Sequence, residues 1–490
     1  MNAWLLLPIF IPATAGLLLP VFKRGKNRAW LKRYLLTVTV ANALLLTLII
    51  ALDDVSFRTM ELNHILNFYL NVDALTRFFL ALVALLWSSI AFYSIEYIPE
   101  DKRETRFFSC LLLVYAAMLG VGLAGNFFTL FLFYELVTLI SYPLVVYTRT
   151  KESFKAGSIY LIYAFFGASL IFFCFSVVGH LGLNADFTPG GVFSAETMAH
   201  YYPTLLAVFL VGFLGFSVKA GMLPLHNWLP IAHPVAPAPA SALLSGVVSK
   251  VAIFAILRLT FFVFGADFLR GQWVQTLLIT ITLLTVFVGS MLAFTERLLK
   301  KRLAFSSVSQ LSYILFGIVL LNPLAFLGAM LHMIAHGIVK VTLFLTAGAI
   351  EHQTQKKHVH ELRGVGKSMP VTLWCFTLVS ISLIGVPPTS GFLSKVRLLL
   401  GGIASNHPTL GLIGAGILLI SALLTAGYLI PIFSSAFFPG SKFKYESLIS
   451  KEPGRYILVP LVLLAVLSLL LGVFPSSLSD YITRISELIL

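Results

Sequence analysis

Residues 208–234 read VFLVGFLGFSVKAGMLPLHNWLPIAHP. The run is apolar enough to lie in hydrocarbon, yet Lys219 stands near its middle, with Gly221 and Pro224 close behind. Proline removes a backbone donor and kinks a helix. Non-helical backbone at membrane depth survives only against protein or a hydrated cavity. A charge at a helix centre costs roughly 2.5–3.5 kcal/mol on insertion scales. The stretch therefore reads as a broken membrane helix built around a buried ammonium.

The same combination recurs at residues 380–400, SISLIGVPPTSGFLSKVRLLL, where Gly385, Pro387, Pro388 and Gly391 precede Lys395. Three further charges interrupt apolar runs. Glu135 stands in NFFTLFLFYELVTLISYPL (126–144), Lys250 in SALLSGVVSKVAIFAILRL (241–259), and Lys340 in AMLHMIAHGIVKVTLFLTAGA (329–349). Together these residues carry an insertion penalty on the order of 10 kcal/mol, as large as the net stability of a typical domain. An ionisable group at that depth is by default a pointer to an ion or proton path.

Composition agrees. Of 490 residues 58% are hydrophobic and 11% charged, with mean hydropathy +0.94, against about 25% charged residues in soluble domains. Runs of span length follow one another at 2–22, 33–52, 73–95, 105–123, 126–147, 157–183, 203–230, 237–263, 271–295, 302–321, 326–350, 370–400, 408–437 and 455–474. These predict an all-α polytopic membrane protein of fourteen helices, a single transmembrane domain over 1–490. The first run lacks a basic flank and a small-residue cleavage site, so it reads as a retained helix. Cys110, Cys174 and Cys375 are isolated within apolar runs, a spacing that opposes iron–sulfur or zinc sites.

The net charge of +14 is topology, not a nucleic-acid site. Lys23, Arg24, Lys26, Arg28, Lys32 and Arg33 follow the first run; Lys102, Arg103 and Arg106 the third; Arg149, Lys151 and Lys155 the fifth. Arg297, Lys300, Lys301 and Arg302 follow the ninth, Lys356, Lys357, Arg363 and Lys367 the eleventh, and Lys442, Lys444, Lys451 and Arg455 the thirteenth. The other side shows Arg58, Arg77, Arg270, Arg397 and Arg484. The positive-inside rule then sets the odd-numbered loops in the cytoplasm and both termini outside.

Two broken helices five apart point to repeats with an ion site at each break. The fourth to eighth runs (105–263) and the ninth to thirteenth (271–437) would form two five-helix units. An odd number of helices per unit makes the second inverted relative to the first. The competing reading is that the prolines only ease packing.

His332, His336 and Lys340 are spaced i, i+4, i+8 and share one helical face. HxxxH is also a metal-ligand spacing. No acidic third ligand accompanies it, and Lys340 on the same face repels a cation, so a proton relay ranks ahead of a metal or a silent core pair. Histidine titrates near neutrality, and a lysine beside a carboxylate can switch between paired and neutral states as the pair separates. His226 and His233, in the proline-rich turn before the eighth run, are candidates for proton intake or for loop structure. His352, His358 and His360 read as solvated, and Arg258 as snorkelling toward an outer end.

Three stretches carry a family resemblance: KAGMLPLHNWLPIAHPVAPAPASALLSGVVSKVA (219–252), HMIAHGIVKVTLFLTAGAI (332–350) and GVPPTSGFLSK (385–395). They resemble signatures of the antiporter-like subunits of respiratory complex I, the D-type subunits of Mrp cation/proton antiporters and their relatives in membrane-bound hydrogenases. The resemblance covers almost the whole chain. It implies a fourteen-helix fold with inverted repeats and a central hydrated polar axis. By matching positions, Glu135 and Lys219 correspond to the family's glutamate–lysine pair, Lys250 to the connecting residue, His332, His336 and Lys340 to the eleventh-helix cluster, and Lys395 to the terminal residue. Some complex I members have glutamate at that last place, so Lys395 leans toward the Mrp-like or hydrogenase-associated branches.

The chain stops soon after the fourteenth run, without a long lateral helix, which argues for a D-type or middle subunit. No mitochondrial transit peptide is visible, which fits a prokaryotic cytoplasmic membrane. The function expected is proton translocation within a multisubunit ion-pumping complex, with no cofactor and no covalent chemistry of its own. The partners expected are other membrane subunits, protons and the bilayer, with sodium left open. The alternatives are an Mrp subunit exchanging sodium for protons, a quinone-binding redox subunit, and an inert scaffold.

Overall fold

The computed structural model describes residues 2–23, 26–52, 55–58, 66–181, 186–441, 443 and 451–490. Arg24, Lys442 and Lys444 of the basic pattern lie outside these residues. The chain begins with α1 (Leu7–Phe22) and α2 (Arg28–Ala51), then a two-stranded antiparallel hairpin of β1 (Val55–Arg58) and β2 (Tyr69–Val72). Next come α3 (Ala74–Tyr97), α4 (Glu104–Leu123), α5 (Phe127–Val145) and α6 (Lys151–His180). The seventh run splits into α7 (Tyr202–Ala220) and α8 (Trp228–Val235), and α9 covers Ala238–Phe264. Then follow α10 (Trp273–Thr295), α11 (Leu299–Val319) and α12 (Pro323–Thr354). The twelfth run splits into α13 (Pro370–Ile384) and α14 (Ser390–Ile403). The chain ends with α15 (Pro408–Phe437), α16 (Arg455–Val473) and α17 (Ser476–Ile489).

Thirteen helices among the described residues are long and apolar enough to cross a membrane. The remaining expected span, 370–400, is the one broken at Gly385, so neither half reaches span length alone. The protein is thus an all-α polytopic membrane protein, with the small hairpin as an addition that the hydropathy pattern did not announce.

Helix starts follow local chemistry. The first turn of a helix leaves N–H groups without intrahelical partners. Asn27, Asp73, Asn126, Thr150 and Asn322 each accept one of them with a side-chain oxygen, at the heads of α2, α3, α5, α6 and α12.

Burial sorts the helices into a centre and a rim. Helix α9 is wholly buried, α11 is buried apart from Lys301, and α12 is nearly so. Helix α12 packs against α3, α9, α11, α13, α14, α16 and α17 and is the pivot of the bundle. Helices α2, α6, α15 and α16 instead expose large apolar side chains such as Leu44, Ile162, Leu423 and Val459. That distribution suits a lipid-facing rim, because a bilayer supplies the apolar surroundings that water does not.

Arg258 does not snorkel. It lies on α9, 1% exposed, and its guanidinium forms a fork on the Asp73 carboxylate at 2.5 and 2.8 Å, with Thr76 Oγ1 at 2.9 Å. The rings of Phe254, Phe262 and Phe187 surround it. A carboxylate 185 residues away supplied a better partner than the distant interface. The pair ties the head of α3 to α9.

Removing one member of a buried pair costs about 3–5 kcal/mol, whereas replacing both by apolar or neutral groups is often tolerated. Arg258→Ala should destabilise the chain by roughly 3 kcal/mol, at the low end because Asp73 retains some access to water. Asp73→Asn combined with Arg258→Met should recover most of that loss. Unfolding in mixed detergent with increasing dodecyl sulfate measures both; a single variant as stable as wild type would remove the pair from the stability of the fold.

Candidate functional site

Lys219 sits next to the last residue of α7 and is 3% exposed. The helix stops there because Gly221 takes a left-handed backbone (φ +72°). The N–H groups of Gly221 and Met222 turn back onto the carbonyls of Val218 and Ser217, both at 3.2 Å. A Cβ at Gly221 would lie 2.1 Å from Leu229 Cδ1, so only glycine fits comfortably. Trp228 Nε1 adds a bond to Val218 O at 2.8 Å, and Leu223 N donates to Thr285 Oγ1 on α10. Pro224 follows a cis peptide bond inside this turn.

The Lys219 ammonium donates to the backbone carbonyl of Tyr134 at 2.9 Å and lies 3.2 Å from the centroid of that ring. Glu135 Oε1 on α5 is 4.0 Å away. The predicted carboxylate–lysine pair is therefore brought together, at the outer limit of an ion pair.

Lys250 lies just past a π turn, Leu244–Val248, in the fully buried α9. Its ammonium donates to Ser245 O at 2.8 Å and meets His336 Nδ1 of α12 at 2.7 Å. Gly246 permits this approach, since a Cβ there would lie 2.2 Å from Val341 Cγ2 of α12. No hydrogen bond or ion pair joins Lys219 directly to Lys250 among the described residues.

The shared face of α12 fans out to three neighbours. His336 turns to Lys250 on α9. His332 Nδ1 meets Ser394 Oγ of α14 at 2.9 Å, and its ring stacks on Tyr313. Lys340 donates to Leu303 O of α11 at 2.9 Å and to Ser306 Oγ. The Nε2 atoms of both histidines are buried without a protein partner.

Lys395 closes the row on α14. Its ammonium donates to the carbonyls of Leu383 and Ile384 at 2.6 and 3.0 Å, and lies 5.2 Å from the Tyr313 ring centroid. Those carbonyls belong to the last turn of α13, where helical acceptors are left over. Gly385 (φ +93°) turns the chain there, the Pro387–Pro388 bond is cis, and Gly391 packs so tightly that a Cβ would lie 1.8 Å from Ser382 O.

The two intake candidates are deeper than a surface loop. His226 lies in the turn between α7 and α8, and His233 lies on α8, fully buried against Phe344 of α12 at 4.6 Å between ring centroids. Both ring nitrogens of His233 are without protein partners. Beside it, a cavity of about 460 Å³ is lined by Pro234, Ala236, Lys300, Glu351, His352 and Lys357 among others. Glu351 Oε2 holds Lys300 at 2.7 Å and Oε1 holds Lys357 at 3.4 Å. His352, His358 and His360 are exposed, and His352 belongs to the last turns of α12.

Sequence reading missed the partners of these lysines on α11. Ser306, Ser307, Ser309, Gln310, Ser312 and Tyr313 are all buried there. Ser307 meets Ser245 at 2.7 Å, Ser309 meets Ser290 at 2.7 Å, and Tyr313 donates to Leu418 O at 2.7 Å. The signal was present: α11 is the least apolar of the span-length helices, yet it is buried apart from Lys301. A polar stripe in a central membrane helix faces a polar interior.

A bundle of membrane-spanning helices with a row of buried lysines and histidines across its middle defines an ion-handling membrane protein by class. Comparison with known proteins makes the class specific. Residues 124–421 match the family described as "NADH:quinone oxidoreductase/Mrp antiporter, TM", and residues 60–108 match "NADH-Ubiquinone oxidoreductase (complex I), chain 5 N-terminus". The chain belongs to this antiporter-like subunit family. It is 32% identical over 381 residues to NADH-quinone oxidoreductase subunit N of Desulforudis audaxviator, covering 75% of this chain and 72% of the relative. It is 28% identical over 500 residues to the D-type Na(+)/H(+) antiporter subunit of Alkalihalophilus pseudofirmus, covering 100% and 98%. Among solved structures, a chain of the Mrp complex from Dietzia sp. DQ12-45-1b has the same fold, with TM-score 0.83 at 22% identity over 100% of this chain and 98% of that one.

The tight contact at Gly391 yields a test of the geometry. Gly391→Ala should push α14 away from α13, draw Lys395 off the Leu383 carbonyl and cost about 1–3 kcal/mol, the usual range for overpacking. Thermal denaturation in detergent and ion transport by the assembled protein should fall together. A variant that matches wild type in both would show that the α13–α14 break tolerates a wider spacing.

Proposed function

We propose that this chain is the proton-translocating subunit of a multisubunit membrane complex, moving protons along Lys219, Lys250, His336, Lys340, His332 and Lys395, with Glu135 gating the first lysine. The observation that carries this reading is the 2.7 Å contact of Lys250 with His336, which joins the two halves of the bundle at its buried centre. A lysine and an imidazole at that distance can share one proton, and each is followed by further titratable groups within the same polar interior.

The Glu135–Lys219 pair is set loosely enough to switch. With Glu135 close, the ammonium has a countercharge; with the carboxylate swung away, it keeps only the carbonyl and ring of Tyr134. Transfer from Lys219 to Lys250 then proceeds through water or by side-chain motion. We place the basic loops in the cytoplasm and both termini outside, following the positive-inside rule. We also read the units 105–263 and 271–437 as inverted repeats: each contains a broken helix, α7–α8 or α13–α14, that ends near an axis lysine.

His233 and the neighbouring cavity support proton intake on the basic side. A buried imidazole with no protein partner for either nitrogen costs about 1–3 kcal/mol per group unless water reaches it. The cavity borders Pro234, the next residue, and Phe344 stacked on His233 is one turn from Lys340.

A second reading is favoured by one comparison. The alignment to the D-type Na(+)/H(+) antiporter subunit spans both chains almost end to end. On that reading the chain works in an Mrp-type assembly in which sodium moves against protons. The axis residues keep their roles.

Lys219→Ala in the native complex, reconstituted in sealed vesicles with pH-sensitive and sodium-sensitive dyes, tests the proposal. Proton movement should be lost with assembly intact, and the sodium trace separates exchange from proton pumping. Unchanged movement of both ions would leave the chain a scaffold. His233→Phe should keep the stack on Phe344 but slow transport several-fold; a rate equal to wild type would move the intake elsewhere.

A further inference from the structure

The Lys219 ammonium has a carboxylate within reach and does not rest on it. Glu135 Oε1 stands 4.0 Å off and, although buried, has no hydrogen-bond partner among the described residues. The ammonium instead donates to Tyr134 O at 2.9 Å and lies 3.2 Å from the centroid of the Tyr134 ring. One neutral residue thus offers it two contacts, both closer than the full countercharge.

The local geometry shows why. Successive residues stand about 100° apart around a helix. On α5 Tyr134 is therefore turned into the bundle, 1% exposed, while the Glu135 side chain is 19% exposed. The ring is fixed by α7, the helix that carries Lys219. It meets Phe216 edge to face, with 5.0 Å between centroids and 85° between planes, and its hydroxyl donates to Phe216 O at 3.4 Å. Phe216 stands three residues before Lys219, so one turn of α7 supplies both the anchor of the ring and the ammonium that meets it. The Tyr134 carbonyl also accepts from Thr138 Oγ1 at 3.4 Å. Lys395, at the far end of the row, faces a ring too, but Tyr313 is 5.2 Å away and stacks on His332.

We infer that Tyr134 is a positioning residue, its ring face and its carbonyl together forming the seat of the Lys219 ammonium. The inference rests on the relay reading of Lys219. The face of an aromatic ring is the negative end of its quadrupole and attracts a cation placed within about 6 Å. At a desolvated site that attraction amounts to about tenfold or more in an equilibrium. A ring face differs from a carboxylate in that no proton can neutralise it. The seat therefore persists whether Glu135 is charged, protonated or withdrawn, and Lys219 keeps its place while its countercharge changes. Glu135 alone could not do this, because the group that moves cannot also be the group that holds.

Fluorine at the ring edge drains the negative face while hardly changing the shape, which separates electrostatics from packing. In the assembled complex in sealed vesicles, Tyr134→Phe is the reference, and the same position then carries mono-, di- and trifluorophenylalanine. Proton movement, read with a pH-sensitive dye, should fall at each step and be about tenfold slower with three fluorines than with none. Tyr134→Leu, which keeps the carbonyl and removes the ring, should be slower than Tyr134→Phe by at least as much. A rate that stays level or rises along the fluorinated series overturns the assignment, as does a Tyr134→Leu rate equal to that of Tyr134→Phe. Lys219→Ala in the same vesicles tells this inference from the reading beneath it. If it abolishes proton movement while the fluorinated series stays level, the relay stands and the seat falls. If it leaves proton movement unchanged, both fall.

Discussion

An ammonium ion buried at membrane depth must find oxygen, and this requirement organises the centre of the molecule. Every axis lysine is held by a backbone carbonyl: Lys219 by Tyr134, Lys250 by Ser245, Lys340 by Leu303, and Lys395 by Leu383 and Ile384. A regular helix has few carbonyls to spare, because each accepts from the residue four positions on. Irregularities of the fold supply them for Lys250 and Lys395, whereas Lys219 and Lys340 use carbonyls within the regular α5 and α11. The break at Gly385 leaves the last acceptors of α13 free for Lys395. In the π turn of α9 the Ser249 N–H reaches back five residues to Leu244 O, and Ser245 O takes the Lys250 ammonium and the Ser249 hydroxyl. Wide turns of this kind recur at functional sites. Carbonyls solvate an ammonium without neutralising it, which leaves the charge free to respond to its neighbours. Glu135 is the exception, a full countercharge at one end of the row.

How much of this could be read from the sequence follows from the range of each interaction. Charges within apolar runs are visible locally, so Glu135, Lys219, Lys250, Lys340 and Lys395 stood out, as did the Gly–Pro clusters that end α7 and α13. The pivotal α12 and its histidines were also legible, through the i, i+4, i+8 spacing. What depends on pairing across the bundle was not. The Arg258–Asp73 fork closes over 185 residues, and near the end of a helix an arginine reads more simply as snorkelling. The π turn near Lys250 leaves no composition signal, since its residues are ordinary helix formers or small. The serine-rich face of α11 was written in the sequence but is ambiguous there: hydroxyls in a membrane helix can bond to their own backbone. Only its complete burial beside Lys340 and Ser245 gives it a role.

The same packing that buries the axis fixes its geometry. Gly246 lets α9 approach α12 closely enough for Lys250 to meet His336, and Gly391 lets α14 fold back against α13 so that Lys395 reaches its acceptors. Protein interiors are close-packed, so a methyl group at either place is felt by the whole contact. The rim helices meet the bundle under the same constraint: a Cβ at Gly411 of α15 would lie 2.0 Å from Gly402 O, and one at Gly472 of α16 would lie 2.1 Å from Pro388 O. Their other faces expose apolar side chains to the bilayer.

A row of like charges has a consequence for transport that the single residues do not. His336, bonded to Lys250, lies one helical turn from Lys340, about 6 Å along the axis of α12. At an effective dielectric constant of 20, two unit charges at that distance repel by roughly 3 kcal/mol. Charging one position therefore disfavours charging the next by about a hundredfold, since each 1.4 kcal/mol is a factor of ten. In the proposed relay, a proton arriving at one end of the row presses the one ahead of it onward. In the proposed relay the Glu135–Lys219 pair regulates such a row. While the carboxylate is near it shields the charge on Lys219 from the rest; once it withdraws, the full field of that ammonium falls on the neighbours. On the proposed relay, movement of that one acidic side chain changes the charge felt along the row.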